Sequence, residues 1–176
     1  MTISVNKIVG IAGSHRLKGN SEIVLGKVLE YIQGDEKNNI SSELITLADK
    51  NISSCITCDK CRKSKECSIK DDFQSIYSVV EKANVIIFAC PVYNFAPPSK
   101  LLNFRTRLSR IAHCRGEKRE YTSSEHFISK YPHSSALKRK IGGSIVIARR
   151  GGTDSVLAQM NNFFWYIRCL SWVLAI

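Results

Sequence analysis

Four cysteines sit close together at Cys55, Cys58, Cys61 and Cys67, a C-x2-C-x2-C-x5-C run. Three thiols at three-residue intervals, closed by a fourth, can wrap one compact multi-site centre. That suits a [4Fe–4S] cube, in which each iron takes one thiolate. Two other readings stay open. One is a zinc ion, although structural zinc more often uses two separated C-x2-C knuckles. The other is a metal-free, redox-active thiol loop. Lys60, Arg62, Lys63, Lys65 and Lys70 surround the thiols, and their charge would stabilise thiolates and offset an anionic cluster. Cys90 ends an apolar run and Cys169 follows one, so both read as small core residues. Cys114 opens a basic stretch, and its role is open.

A second candidate lies near the start of the chain, at G-S-H-R-L-K-G-N-S from Gly13 to Ser21. A short apolar run ends there and an amphipathic run begins. Backbone N–H groups at a strand-to-helix junction point outward, and the helix dipole favours an anion. Ser14, Arg16, Asn20 and Ser21 add donors and a fixed positive charge, and His15 could donate as well. The stretch is neither G-x-x-x-x-G-K-S/T nor G-x-G-x-x-G. On its own it is a phosphate cradle or an ordinary turn. Pro91-Val92-Tyr93-Asn94 supplies stiff backbone and an aromatic ring suited to a planar group. Arg149-Arg150-Gly151-Gly152 supplies positive charge and glycines that let a ligand approach the backbone. His113, His126 and His133 lack metal-ligand spacing and read as exposed.

The surrounding elements place these three stretches together. Apolar periodicity predicts strands at Val5–Ala12, Ile40–Leu47, Asn84–Cys90, Ile141–Ala148 and Leu170–Ile176. Helices are predicted at Ser21–Gln33, from Asp71-Asp72 to about Ala83, at Ser99–Ala112 and at Asp154–Arg168. The cysteine loop spans 48–70. Alternating strands and helices call for a parallel, doubly wound sheet, whose ligands sit beyond the carboxyl ends of the strands. The turns after the first, third and fourth strands meet at that edge. Together they suit a ligand with both a phosphate and an aromatic ring.

Composition narrows the class. The chain has 176 residues, is 44% hydrophobic and fits a single domain over 1–176. No apolar run is long enough to span a bilayer, and Met1-Thr2-Ile3-Ser4 does not open a signal peptide, so a cytoplasmic location without membrane contact is expected. Net charge is +11, concentrated between Lys100 and Lys140, where eleven basic residues face three acidic ones. The polar segment 113–139 exceeds an ordinary connection and reads as an insertion, a lid or a partner-binding excursion. A nucleic-acid-binding reading of the block lacks a recognised motif. The apolar end Trp172-Val173-Leu174-Ala175-Ile176 calls for a partner or for further chain.

These residues resemble a known family. G-S-H-R-L-K-G-N-S is similar to the phosphate loop of the NADPH-dependent FMN reductases, and P-V-Y-N-F-A-P-P-S-K-L-L-N-F to their flavin-ring loop and following helix. A-R-R-G-G loosely matches their third flavin loop. The compact cysteine run leading into D-D-F resembles the iron–sulfur flavoprotein branch. The resemblance implies a flavodoxin-like five-stranded sheet in the order 2-1-3-4-5. It implies FMN phosphate on Ser14, Arg16, Asn20 and Ser21, and the flavin ring against Pro91, Val92, Tyr93 and Asn94. Arg149, Gly151 and Gly152 would lie beyond the ring, and Cys55, Cys58, Cys61 and Cys67 would ligate a [4Fe–4S] cluster. It further implies an oxidoreductase that passes electrons between cluster and flavin, with NAD(P)H as a possible donor. A cluster-free NAD(P)H-dependent FMN or quinone reductase is the alternative. A homodimer or homotetramer, and a redox partner protein or small electron acceptor, complete the expectation.

Overall fold

The computed structural model describes residues 6–34, 39–116 and 135–175. Five strands, β1 (Lys7–Ala12), β2 (Ser41–Thr46), β3 (Val85–Pro91), β4 (Ile141–Ile147) and β5 (Leu170–Ala175), form one sheet in the order β2-β1-β3-β4-β5. Every neighbouring pair is parallel. This is the flavodoxin-like order that the family resemblance implies. β1 and β3 lie inside the sheet and read as nearly continuous apolar runs, because both their faces are covered. β2 lies at an edge, and its S-S-E-L-I-T sequence is correspondingly mixed.

The helices are α1 (Asn20–Gln33), α2 (Lys60–Ser64), α3 (Phe73–Lys82), α4 (Ser99–Arg115) and α5 (Thr153–Tyr166). Strand side chains alternate between faces, which divides the core in two. Val9, Ile11, Ile86, Phe88 and Val146 join residues of α3, α4 and α5 on one face. Ile8, Ala12, Ala89 and Ile145 pack with Leu25 and Leu29 of α1 on the other. Gly142 allows the larger core to close, since a Cβ there would run into the Phe164 ring, which stacks on Phe88 at 5.0 Å.

Three expectations change. The cysteine loop contains a helical turn, α2, framed by Asp59 and Lys65 in the left-handed region. The helix expected to stop at Ala112 continues to Arg115, because its polar last turn finds partners. The His113 ring bonds the Ser109 carbonyl and packs on Tyr166 at 4.7 Å, so it is half-buried rather than exposed, and Arg115 pairs with Glu81. Residues 135–140 also belong to the domain, with Ser135 and Leu137 buried and the Ala136 N–H on the Ala112 carbonyl. The rest of the expected insertion, with His126 and His133, lies outside the described residues.

Candidate functional site

Three loops leave the carboxyl ends of β1, β3 and β4, which are adjacent strands. The first packs closely on α4: a Cβ on Gly13 would lie 2.7 Å from Leu101 Cδ2, so any other residue would displace that buried side chain. The Gly13 N–H bonds the Ala89 carbonyl at 2.7 Å, tying this loop to β3. Buried Ser14 accepts from the Arg16 N–H at 3.0 Å, and Glu22 accepts from the Lys18 N–H at 2.8 Å. These bonds shape the turn while leaving the helix start open. Among the described residues, the N–H groups of Gly19, Asn20 and Ser21 have no acceptor. Nor do the exposed side chains of Arg16 and Asn20 have any partner. Unbonded N–H groups at the start of a fourteen-residue helix, with the Arg16 guanidinium on the loop leading into it, are donors and positive charge that an anion can use.

The second loop makes a tight reversal at Tyr93–Ala96, with reciprocal N–H to carbonyl bonds of 2.9 and 3.0 Å. Its two middle residues, Asn94 and Phe95, have φ of 50° and 60°. For bulky Phe95 this is strained backbone. The reversal turns Tyr93 back toward the first loop, where its ring lies parallel to that of His15 at 6.0 Å. His15 Nε2 also shares a hydrogen bond with Ser99 Oγ. The third loop completes the edge. Gly152 has φ 89° and starts α5, and a Cβ there would press on Phe95 and Val92. Ser155 Oγ donates to the Phe95 carbonyl at 3.0 Å, and the Val92 N–H to the Ile147 carbonyl at 3.1 Å. Arg149, Arg150 and Gly151 are exposed around this contact.

The four cysteines of the loop are free thiols that line one recess with Ile56 and Arg107, about 330 Å³ including open solvent. Cys61 is buried, Cys55 and Cys67 are half-buried, and Cys58 is exposed. The loop's two ends are stapled together. Asp71 accepts from the Ser53 N–H at 2.9 Å and Asp72 from the Asn51 N–H at 2.7 Å. Asp71 and Asp72, expected only as a helix start, therefore close the loop. Arg107 completes the closure: it donates to Asp71 at 2.5 and 2.9 Å and to the Ser53 carbonyl at 3.2 Å. It also donates to Cys67 Sγ at 3.2 Å and lies 4.3 Å over the Phe73 ring. Its side chain and that of Asp71 are each 1% exposed. Burial pushes the Asp71 carboxyl up, but the bonds from Arg107, Ser53 and Phe73 outweigh it and hold it below the usual carboxylate value.

The thiols differ electrically. Ser68 Oγ, 3.1 Å from Cys58 Sγ, holds that thiol below its ordinary value. Burial pushes the Cys61 thiol up to about 12, with a further contribution from neighbouring Cys114. Cys90 and Cys169 are buried, and burial pushes each up to about 12, as suits core residues. Sequence reasoning missed Arg107. A signal existed: it falls within the apolar stripe of Phe104, Leu108 and Ile111, where a charge needs a buried partner. Other members of the basic block also have partners within the domain. Lys100 bonds the Leu47 and Ala48 carbonyls, Arg110 and Arg115 pair with Asp59 and Glu81, and Lys140 bonds the Glu81 and Ala83 carbonyls.

Comparison with known proteins decides the family. The family model described as NADPH-dependent FMN reductase matches residues 6–173. The chain belongs to the NADPH-dependent FMN reductase family. It is 30% identical over 162 residues to an iron-sulfur flavoprotein of Methanocaldococcus jannaschii, covering 90% of this chain and 71% of that one. An iron-sulfur flavoprotein of Archaeoglobus fulgidus is 44% identical over 87 residues, 49% of this chain and 43% of that one. An azoreductase from Bacillus anthracis superposes with a TM-score of 0.67 at 11% identity, covering 97% of this chain and 86% of that one. A flavodoxin from the domain Archaea gives 0.57 at 10% identity, with 97% and 83% covered. As a member of the FMN reductase family, the protein is a flavin-dependent oxidoreductase that uses FMN. Among the described residues, no helix is long and apolar enough to cross a membrane.

Proposed function

We propose that this FMN reductase family protein is an electron-transfer oxidoreductase whose four loop cysteines hold a [4Fe–4S] cluster that exchanges electrons with the flavin. The observation that carries the reading is that Cys55, Cys58, Cys61 and Cys67 line one recess as free thiols, with a buried guanidinium on its wall. Their C-x2-C-x2-C-x5-C spacing suits a multi-iron group better than one tetrahedral ion, which more often uses two separated C-x2-C knuckles. Two iron-sulfur flavoproteins among the relatives support the same reading.

The residues at the sheet edge have separable tasks. Ser14, Asn20 and Ser21, with the N–H groups at the start of α1, would bind the FMN phosphate, and Arg16 would neutralise its charge. Pro91, Val92, Tyr93 and Asn94 would lie along the flavin ring, and Gly152 would let the third loop close beside it with Arg149 and Gly151. Bound FMN supplies both one- and two-electron chemistry, and an iron–sulfur cluster supplies one-electron steps. Arg107 would hold Cys67 in place and set a positive charge beside an anionic group. NAD(P)H as donor, a homodimer or homotetramer, a cytoplasmic location and a redox partner protein or small acceptor belong to the same proposal.

Anaerobically purified protein tests it. The expected result is a flavin spectrum, FMN released on denaturation, and iron with matching acid-labile sulfide. Absence of FMN refutes the flavin site, whereas FMN without iron leaves a cluster-free NAD(P)H-dependent FMN or quinone reductase.

A further inference from the structure

Cys114 takes no part in the flavin site or the four-cysteine recess, yet its Sγ lies 3.7 Å from Cys61 Sγ. Both are free thiols, Cys61 buried and Cys114 half-buried. The approach is braced on both sides. Lys65 Nζ, just past α2, donates to the Cys114 carbonyl at 2.5 Å, and Arg115 Nε donates to the Lys65 carbonyl at 2.7 Å. Arg115 is in turn anchored on Glu81 at 2.8 and 2.9 Å. A disulfide needs sulfurs about 2.0 Å apart, so the pair must close by about 1.7 Å. Cys61 sits on a five-residue helix within a loop, where side-chain rotation and a small shift can supply that.

We propose that Cys61 and Cys114 form a dithiol–disulfide site that reacts with small-molecule disulfides, and that closing it withdraws Cys61 from cluster binding. Half-buried Cys114 meets the reagent first. Its thiolate attacks one sulfur of the reagent disulfide, breaks that S–S bond and releases one thiolate. The Cys61 sulfur, 3.7 Å away, then attacks the Cys114 sulfur of the mixed disulfide and passes its proton to the departing second thiolate. The two cysteines lose two electrons and two protons, and the reagent leaves as two thiols. A Cys61 sulfur bonded to Cys114 is no longer available to iron. This last consequence rests on the cluster reading above, while the dithiol chemistry does not.

The test uses the cluster-free full chain incubated with oxidised glutathione, alkylated and digested without reductant for peptide mass spectrometry. The expected product is one dominant intramolecular Cys61–Cys114 crosslink, reversed by dithiothreitol and lost in Cys114→Ser. A dominant crosslink among Cys55, Cys58 and Cys67 overturns the proposal, as do glutathione adducts on Cys114 that never resolve. Iron and sulfide reconstitution reads the second part. Oxidised wild type is expected to take up several-fold less iron than reduced wild type, and Cys114→Ser to keep wild-type iron and FMN before and after oxidation. Loss of iron in unoxidised Cys114→Ser, with FMN retained, would make Cys114 a ligand and overturn the proposal. If the crosslink forms but reduced wild type takes up no iron, the cluster reading fails and the dithiol site stands.

Discussion

Replacing Arg107 with Met keeps the length of the side chain and removes its charge. Asp71, whose side chain is 1% exposed, then loses bonds of 2.5 and 2.9 Å and keeps only the Ser53 and Phe73 N–H donors. Breaking one side of a buried ion pair costs about 3–5 kcal/mol, because the surviving charge is left uncompensated. The two remaining donors argue for the lower end, about 3 kcal/mol, or a fall in melting temperature of roughly 6–12 °C for a chain of this size. The double variant Arg107→Met/Asp71→Asn removes the orphaned charge, and we expect it to regain about half of the loss. Urea unfolding at fixed FMN concentration measures both. The pH dependence gives an independent check. Since the folded Asp71 pKa lies below the reference value of 3.8, the pair's contribution is complete above that pH and disappears as pH falls through the folded value. In Arg107→Met, protonation instead relieves the buried carboxylate, so the gap between the two proteins narrows on acidification. A single variant within about 1 kcal/mol of wild type, or a double variant no better than the single, refutes the account.

Three further outcomes follow from the loops. Arg16→Ala removes an exposed charge and is expected to weaken FMN about 5- to 10-fold while leaving riboflavin unchanged, read by flavin fluorescence quenching; equal weakening of both ligands would place Arg16 away from the phosphate. Gly152→Val puts a Cβ 2.9 Å from Phe95 Cδ1 at φ 89°, and should cost about 1–3 kcal/mol in urea unfolding. Gly151→Ala, with nothing within 4 Å of its Cβ, should stay within about 0.5 kcal/mol, so similar losses at both glycines would contradict the packing argument. In cluster-free protein, Ser68→Ala removes the main cause of the lowered Cys58 pKa and should slow iodoacetamide labelling of Cys58 at neutral pH. A labelling rate unchanged by mass spectrometry would show that the hydroxyl does not stabilise the thiolate.

The sheet was legible because its signal is local: β3 is apolar throughout, and α3 repeats Phe73, Ile76 and Val80 at helical spacing. The shared edge of the three candidate loops was legible for a related reason, since a parallel sheet delivers the ends of β1, β3 and β4 to one edge whatever the loops contain. What escaped was held by long-range polar contacts, which leave little trace in periodicity. α2 has no apolar stripe and is framed by Asp59 and Lys65 at positive φ. Residues 135–140 look like basic surface, yet Leu137 is fully buried. The cysteine segment is the most instructive case. From spacing alone, its thiols could be ordered by a metal or left loose. The closure made by Asn51, Ser53, Asp71, Asp72 and Arg107 gives that segment a fixed base of hydrogen bonds and one buried ion pair. Four thiols on such a base need not be gathered from an unfolded chain, as the ligands of a small zinc domain must be. Metal removal should therefore leave the five-stranded sheet folded, with the far-ultraviolet circular dichroism spectrum retained.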